Sequence, residues 1–416
     1  MRLQVWMCAS AMVLTPALFA QARLTLADAV SEAVKGNSQL ATADARIGVA
    51  EGLRQQAGLG PNPRLTLQSE NARAWGNPPF SYGRDADTLT LLTHTFETGG
   101  KRSRRVELGT ANVHRSEIER DLQRRQIISR VSAAYWAAAG AARSRDLLLQ
   151  EATGFERVVQ YHRDRVREGA APEVDLLRIE LERDRLLTAA RTAGRDADRA
   201  RISLFREMGK TEFPAVEFAD ALEQLSPIET TPLDQILRQR PEMQLARQAI
   251  EQAEANLRLQ QANAKTDPDV QVGYKRTAGL SPTGPEAFNT IFGSIQIPLA
   301  IRNRNQGQIA AAVADIKATQ SSLAVAGAIM RAEVESARQD LQSRQSLLVE
   351  TLRPMRDRAD EVYKIADAAY REGGSDILRL LDAERTRIET ELAYIRTLTE
   401  LQLSAVAFAT AQGSLK

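Results

Sequence analysis

The 416-residue chain contains an internal repeat, which limits the folds that it can adopt. Arg167-Glu168-Gly169 returns 204 positions later as Arg371-Glu372-Gly373. Upstream, the pattern Pro63-x-Leu65-x-Leu67 is answered by Pro268-x-Val270-x-Val272, 205 positions further on. Because several matches occur in the same order at nearly one spacing, they indicate a duplicated structural unit.

Each half contains the same order of elements. A helix comes first, followed by two short strands, a very long helix and a helix that returns antiparallel to it. The first helices are predicted at about 26–58 and 233–265, and the long helices at about 102–166 and 306–370. The strands are predicted at 64–73, 87–97, 269–277 and 289–299, in repeats that span 23–209 and 233–416 and are joined by a linker at 210–232.

The N-terminus resembles a secretory signal. Arg2 is followed by an apolar stretch and by Ala20-Gln21-Ala22, a small-x-small cleavage site. We therefore expect residues 1–22 to be a signal peptide. Cys8, the only cysteine, lies within it, so the mature protein is expected to contain no disulfide and no thiol chemistry.

The strands alternate apolar and polar residues. Leu65 and Leu67 alternate with polar neighbours, as do Val270 and Val272, which is typical of a strand with one oily and one wet face. Strands of about ten residues have the length of a membrane-crossing β-strand. Four strands are too few to close a barrel, for which about eight are needed, whereas three copies of the chain would supply twelve. The pattern predicts strands that are pooled among copies, because open edges are not tolerated in lipid.

The long helices carry apolar residues at steps of three and four. The long helix of the first half has Ile127, Val131, Ala134 and Ala138, and that of the second half has Met355, Ala359, Val362 and Ala366. This spacing is typical of coiled-coil-like packing. The expected fold is mainly α-helical with a small β part: long antiparallel helices and four transmembrane strands per chain. A soluble periplasmic coiled-coil scaffold is an alternative that the helices alone do not exclude.

Composition and motifs argue against other classes of protein. The formal net charge is only +2, which gives no electrostatic footprint for nucleic acid. No nucleophile–base pair or cofactor motif occurs, so neither an enzyme nor a bound cofactor is expected. His94, His114 and His162 share no metal-ligand spacing, and ordinary surface or lumen positions are predicted for them.

Several segments resemble the TolC superfamily of outer-membrane efflux channels. The opening Leu24-Thr-Leu-Ala-Asp-Ala-Val-Ser-Glu-Ala-Val-Lys-Gly-Asn is similar to the family's first helix, and Arg240-Pro241-Glu242 with Leu245-Ala246 is similar to the start of its second half. The resemblance implies a homotrimer in the outer membrane of a Gram-negative bacterium. A twelve-stranded β-barrel would contact outer-membrane lipid, an α-helical barrel would cross the periplasm, and residues 210–232 would contribute to an equatorial collar.

A narrower resemblance points to the heavy-metal branch of that superfamily, which serves cobalt–zinc–cadmium and copper–silver resistance pumps. The segments 96–102 and 297–307, where strands lead into long helices, are similar to junctions of that branch. The implied function is the exit duct of a tripartite pump, with a periplasmic adaptor (membrane fusion) protein and an inner-membrane RND-type pump as partners. Export of drugs or proteins by the same fold is the alternative.

Two candidate functional regions follow from this resemblance. The turns that end the long helices are expected to dock the adaptor, and glycine there permits the reversal of the chain. The docking turns are predicted at Gly169, Ala170, Ala171 and Pro172, and at Gly373, Gly374, Ser375 and Asp376.

The second region is a periplasmic gate. In related channels a tyrosine and two aspartates three residues apart hold a constriction closed. Tyr370 and Asp382 match this pattern, but Arg379 occupies the position of the first aspartate, which argues against an all-acidic ring. We expect Arg379 and Asp382, three residues apart on a helix, to be able to form a local ion pair instead.

Overall fold

The computed structural model describes residues 22–73, 75–225, 231–281 and 284–415. The predicted signal peptide therefore lies outside the described residues, apart from Ala22. The chain divides into two compact units, and each is described separately. One unit comprises the described parts of 1–36, 130–226 and 346–403, and the other comprises those of 37–129, 227–345 and 404–416.

The described elements confirm a mainly helical chain with a small sheet. They follow in this order: β1 Ala22–Leu24, α1 Leu26–Gly36, α2 Ser38–Ala57, β2 Arg64–Glu70, α3 Tyr82–Asp85, β3 Asp87–Thr95, α4 Lys101–Arg167, α5 Glu173–Glu207, β4 Val216–Phe218, α6 Leu233–Gln239, α7 Pro241–Asn263, β5 Asp269–Ser281, β6 Gly284–Gln296, α8 Gln306–Ser346, α9 Arg353–Arg371 and α10 Ile377–Gln412.

Three helices that the sequence predicts as continuous are interrupted. The first divides into α1 and α2, because Asn37 is extended and its side chain accepts a hydrogen bond from the Gln39 N–H at 2.9 Å, an N-cap. The first helix of the second half divides into α6 and α7 at Arg240, since a residue before proline disfavours helical geometry. The second long helix contains a π-helical turn, Leu347–Leu352, two residues before Pro354, which lacks the N–H that a regular helix requires.

The second unit contains an antiparallel sheet of four strands in the order β2-β3-β5-β6. The register places Leu65 opposite Leu92 and Leu92 opposite Val272, so these side chains share one face. That face is apolar and exposed: Leu67 is 73% exposed and Ile291, opposite Tyr274, is 81% exposed. Among the described strands, β2 and β6 each pair along one side only, which leaves both edges of the sheet open.

The strand boundaries differ from those predicted. β2 ends at Glu70 rather than at 73, because Asn71 adopts a positive φ that a strand cannot continue. β3 ends at Thr95, ahead of Gly99 and Gly100, which also have positive φ. The β5–β6 hairpin is longer than predicted, since pairing continues as far as Ser281 and Gly284. Pro285 lies within β6, an edge strand, where a proline is tolerated.

The first unit is held together around β1 and β4, which pair in parallel. The hydroxyl of the buried Tyr135 of α4 donates to the Asp220 carboxylate at 2.7 Å and lies 3.0 Å from the Leu24 carbonyl. Residues 216–220, within the predicted linker, are thereby fixed to the long helix. The aromatic edge of Tyr135 also packs against Phe218.

No helix in the described part of the chain is both long and apolar enough to cross a membrane.

Candidate functional site

The two predicted docking turns have the same backbone geometry. In the first, α4 ends at Arg167 and Gly169 adopts φ +72°; in the second, α9 ends at Arg371 and Gly373 adopts φ +77°. Glycine adopts this left-handed conformation without the steric cost that other residues incur. The local sequence therefore determines where each helix ends.

The hydrogen bonds of the two turns also correspond. The Ala170 N–H donates to the Arg165 carbonyl and the Gly169 N–H to the Val166 carbonyl. The Gly374 N–H donates to Ala369 and the Gly373 N–H to Tyr370, at positions displaced by 204 residues in every case. This arrangement closes a helix C-terminus by satisfying its last carbonyls. The sequence repeat is thus reproduced as a structural repeat at the turns.

Both turns present exposed residues above one hydrophobic cluster of the first unit. Gly169, Pro172, Gly374 and Asp376 are exposed, while Ala171 and Ser375 are half-buried. Below them the cluster comprises Leu148, Ala152, Phe155, Val159, Ile179, Leu186, Ala190, Ile377 and Ile388. Because α4, α5 and α10 all contribute to this cluster, the turns rest on a common packed base.

Tyr370 points toward this hydrophobic cluster and not toward the other two predicted gate residues. Its hydroxyl lies 3.1 Å from Nε2 of His162, and the two rings are 5.7 Å apart. Burial is the main cause that raises the pKa of Tyr370 above its usual range, so the phenol remains protonated and able to donate. The bond joins α4 to α9 directly beneath the second turn.

His162 is buried, contrary to the surface or lumen position predicted for it. The residue is 1% exposed, and Nδ1 has no hydrogen-bond partner among the described residues. Burial, and then the neighbouring Arg165, lowers its pKa below the usual value of 6.5. Helical spacing gives a weak signal for this position, because Phe155, Val159 and His162 follow one another at steps of four and three.

Arg379 and Asp382 are exposed and line a groove of about 580 Å³ between α9 and α10. Ala366, Ala369 and Gly374 line the same groove. No ion pair within 4.0 Å joins Arg379 to Asp382 in the described part of the chain, so the local pair that the sequence allowed is absent. The three predicted gate residues are therefore divided between the buried contact with His162 and this groove.

A second buried contact in the first unit was not anticipated from the sequence. Arg387 of α10 donates to Glu151 of α4 at 2.6 Å and to Glu384 at 2.8 Å, and its guanidinium lies 4.9 Å from the Tyr363 ring centroid. Burial opposes the charge on Arg387, but Glu384 and Glu151 outweigh it and raise the pKa of the guanidinium. Burial raises the pKa of Glu384. The contact joins α4, α9 and α10 on the side of the gate residues that is away from the turns.

The described residues contain no group of three or more histidine, cysteine, aspartate or glutamate side chains placed to hold a metal ion. His114 is exposed and contacts Glu117 at 3.0 Å, and His94 lies in β3, as the sequence predicts.

A duplicated chain with an open-edged sheet and paired helical hairpins has the parts of an outer-membrane channel. The model of one family, the outer membrane efflux proteins, matches the chain twice, at residues 29–210 and 233–414. The chain belongs to this family, which places it in the outer membrane as an efflux channel with a periplasmic helical extension.

Several known proteins are similar to this chain. The cobalt-zinc-cadmium resistance protein CzcC of Cupriavidus metallidurans is 24% identical over 390 residues, which cover 92% of this chain and 88% of that protein. Among solved structures, that of CusC matches with a TM-score of 0.77 at 17% identity, and the match covers 93% of this chain and 91% of the CusC chain. A membrane protein from Pseudomonas aeruginosa has a TM-score of 0.76 at 18% identity, with 93% and 92% covered.

Proposed function

We propose that this protein is the trimeric exit duct of a tripartite efflux pump and that its substrates are heavy-metal cations. Three copies pool their strands into a twelve-stranded barrel, and the helices of each copy extend the duct into the periplasm. An inner-membrane RND-type pump supplies the energy, and a periplasmic adaptor links that pump to the turns at 169–172 and 373–376.

The observation that carries the trimer is the sheet with two open edges and an exposed apolar face. An edge strand in lipid leaves backbone N–H and C=O groups unpaired, at a cost of several kcal/mol each. Pairing the β2 edge of one copy with the β6 edge of the next removes every edge and directs Leu67 and Ile291 to lipid. A soluble scaffold would expose this apolar face to water, and it does not fit an outer-membrane location.

The second-half helix seam supports the same assembly. Ala359 is buried in the single chain, but Met355 is 45% exposed and Val362 is 54% exposed, and both line the α9–α10 groove. In contrast, Ile127, Val131 and Ala138 of the long helix of the first half are buried within the chain. An apolar seam at coiled-coil spacing that is left open in one chain fits a helix of a neighbouring copy.

The choice of substrate rests on the relative that is named for cobalt, zinc and cadmium resistance. We infer metal export by likeness, and a duct needs no tight metal site, because passage requires only weak and transient contacts. Export of drugs or proteins by the same fold is the second candidate.

The test is complementation in a bacterial strain that has the cognate pump and adaptor but lacks this channel. We expect the gene to restore growth on zinc, cobalt or cadmium salts and to leave drug sensitivity unchanged. Restored drug resistance without metal resistance would overturn the metal assignment and favour the second candidate.

We propose that Tyr370, Arg379 and Asp382 form the periplasmic gate, with Arg379 and Asp382 in the α9–α10 groove that a neighbouring copy would cover. Tyr370 is bonded to His162, whereas Arg379 and Asp382 are exposed. Opening would then require α9 to move relative to α4, with loss of the bond between Tyr370 and His162.

A further inference from the structure

The apolar face of the sheet is too short to match the membrane. Its outward rows run from Val270 and Ile295 through Leu92 and Val272 to Tyr274 and Ile291. At about 3.4 Å per residue, these rows extend roughly 14 Å, whereas the apolar band of an outer-membrane barrel is about 25 Å tall.

The band does not continue past Tyr274. The next outward row contains Thr88, Arg276 and Asn289, and the Tyr274 hydroxyl donates to the Asn289 side chain at 2.7 Å. A tyrosine with its ring on the apolar side and its hydroxyl on the polar side is typical of a membrane–water interface. Tyr274 therefore marks one limit of the apolar band, and the missing height must lie at the opposite end.

The connection from β6 to α8 has the residues to supply it. Ile297, Leu299 and Ile301 are 56%, 77% and 71% exposed, as open as Ile295 at 67% on the sheet itself. They continue the alternation of apolar residues that β6 begins at Ile291. The Ile301 N–H donates to the Leu299 carbonyl at 2.9 Å, so the chain turns after Leu299. From Ile295 to Leu299, four residues at about 3 Å each would add roughly 12 Å, enough to complete the band.

Two arginines follow this apolar segment. Arg302 and Arg304 are exposed, and neither guanidinium forms an ion pair with a carboxylate in the described part of the chain. The Arg304 Nε donates only to the nearby Ala300 carbonyl, at 3.2 Å. Arginines just beyond an apolar segment suit the level of lipid phosphates, which accept bidentate hydrogen bonds from guanidinium groups.

We propose that residues 297–304 form a membrane anchor, made of protein side chains, at the periplasmic side of the outer membrane. Ile297, Leu299 and Ile301 enter the acyl region, and Arg302 and Arg304 bind the phosphates of anionic phospholipid. The anchor rests on the proposed barrel, because its apolar residues extend the face that the barrel turns to lipid. The segment then fixes the depth at which the sheet gives way to α8.

Spin labelling of single cysteines in the full-length protein tests this placement, with Cys8, the only cysteine of the sequence, replaced by serine. Nitroxides are attached at Leu299→Cys, at Ile295→Cys on the apolar face and at Ser294→Cys on the opposite face. The protein is reconstituted in vesicles of phosphatidylethanolamine and phosphatidylglycerol. We expect the Leu299 and Ile295 labels to collide with oxygen and to be shielded from a water-soluble nickel chelate, and the Ser294 label to be open to the chelate.

The outcomes separate this proposal from the proposed barrel. If the Ile295 label contacts lipid but the Leu299 label is open to the nickel chelate, the anchor is wrong and the barrel stands. A Leu299 label that is immobile and shielded from both reagents would instead assign the segment to a contact between copies, which also overturns the anchor. If the Ile295 label is not in lipid, the barrel itself fails.

The arginines are tested in the same vesicles with Arg302→Gln and Arg304→Gln combined. We expect the Leu299 label to become more accessible to the nickel chelate than in the parent protein. We also expect that difference to disappear when phosphatidylglycerol is omitted. An unchanged accessibility in both lipid mixtures would remove the phosphate-binding role.

Discussion

The histidine beneath the second turn joins the predicted gate to the helix behind it. His162 is buried, and its Nε2 faces the Tyr370 hydroxyl. The charged side chains that act electrostatically on His162 are Arg165 of α4 and Asp175 of α5. The charge of Asp376, which precedes α10, acts on the Tyr370 phenol. Because burial disfavours the charged imidazole, His162 is neutral and can accept the hydrogen bond from Tyr370.

Acid is expected to weaken this contact. The folded-state pKa of His162 is depressed, so the unfolded chain binds the proton more readily than the folded one, and stability falls as the pH drops below 6.5. His162→Phe should lower the stability by about 1 kcal/mol at neutral pH, because the half-buried Tyr370 hydroxyl loses its acceptor. The same substitution should remove most of the acid dependence between neutral pH and mildly acidic conditions.

Limited proteolysis near the turns at several pH values measures both effects. His114→Phe is the matched control, since His114 is an exposed histidine on the same helix. If the His162→Phe protein is as sensitive to acid as the parent protein, His162 does not couple this contact to pH.

Among the helices, the motif Arg240-Pro241-Glu242 at the start of the second half is explained by the contacts of Arg240. Its side chain is 7% exposed and donates to Glu242 at 2.6 Å, to Glu333 of α8 at 3.0 Å and to the Ala411 carbonyl of α10 at 3.3 Å. Pro241 occupies the first position of α7, where the missing N–H has no cost. Arg240 therefore joins three helices of the second unit.

Replacing Arg240 with methionine should destabilise the protein by about 2–3 kcal/mol, because Glu242 and Glu333 lose a charged donor and a buried carbonyl is left unpaired. The measurement is guanidinium unfolding of the detergent-extracted protein, followed by its helical circular dichroism. Arg247→Met provides the comparison, since Arg247 is exposed and donates only to backbone carbonyls of α6. Equal midpoints for the two variants would contradict the role of Arg240.

The turns make a separate prediction about partner docking. A Cβ at Gly374 would meet only the Ala369 carbonyl, at an ordinary 3.6 Å, so Gly374→Trp should preserve the turn while covering its exposed surface. We expect this variant to reach the outer membrane in normal amounts and to lose photo-crosslinking to the adaptor from a probe at Pro172.

Gly194→Trp is the control, because a Cβ at Gly194, on α5 away from the turns, meets nothing within 4 Å. Crosslinking that survives Gly374→Trp at the control level would show that the adaptor does not dock at this turn.

The sequence predicts regular elements well and single contacts poorly. The repeat, the order of helices and strands and the buried first-half seam are confirmed, because these patterns extend over many residues. The π-helical turn before Pro354 and the long β5–β6 hairpin were missed, since local chemistry permits several outcomes at a proline. The burial of His162 and the division of Tyr370 from Arg379 and Asp382 depend on which helices pack together, and spacing alone does not determine that.

At the scale of the whole molecule, features left open in one chain correspond to what other copies or lipid would cover. The edges at β2 and β6, the apolar sheet face and the α9–α10 seam all expose groups that a folded protein normally covers. A symmetric ring of copies satisfies the edges through one repeated contact, in which β6 of each copy meets β2 of the next. A closed trimer in the outer membrane would therefore cover all of these features.

The closed trimer is tested by membrane fractionation followed by unheated gel electrophoresis of the detergent-extracted protein. We expect a band in the outer-membrane fraction at three times the monomer mass, which heating converts to the monomer. A monomer in the soluble periplasmic fraction, before and after heating, would contradict the pooled barrel and everything proposed from it.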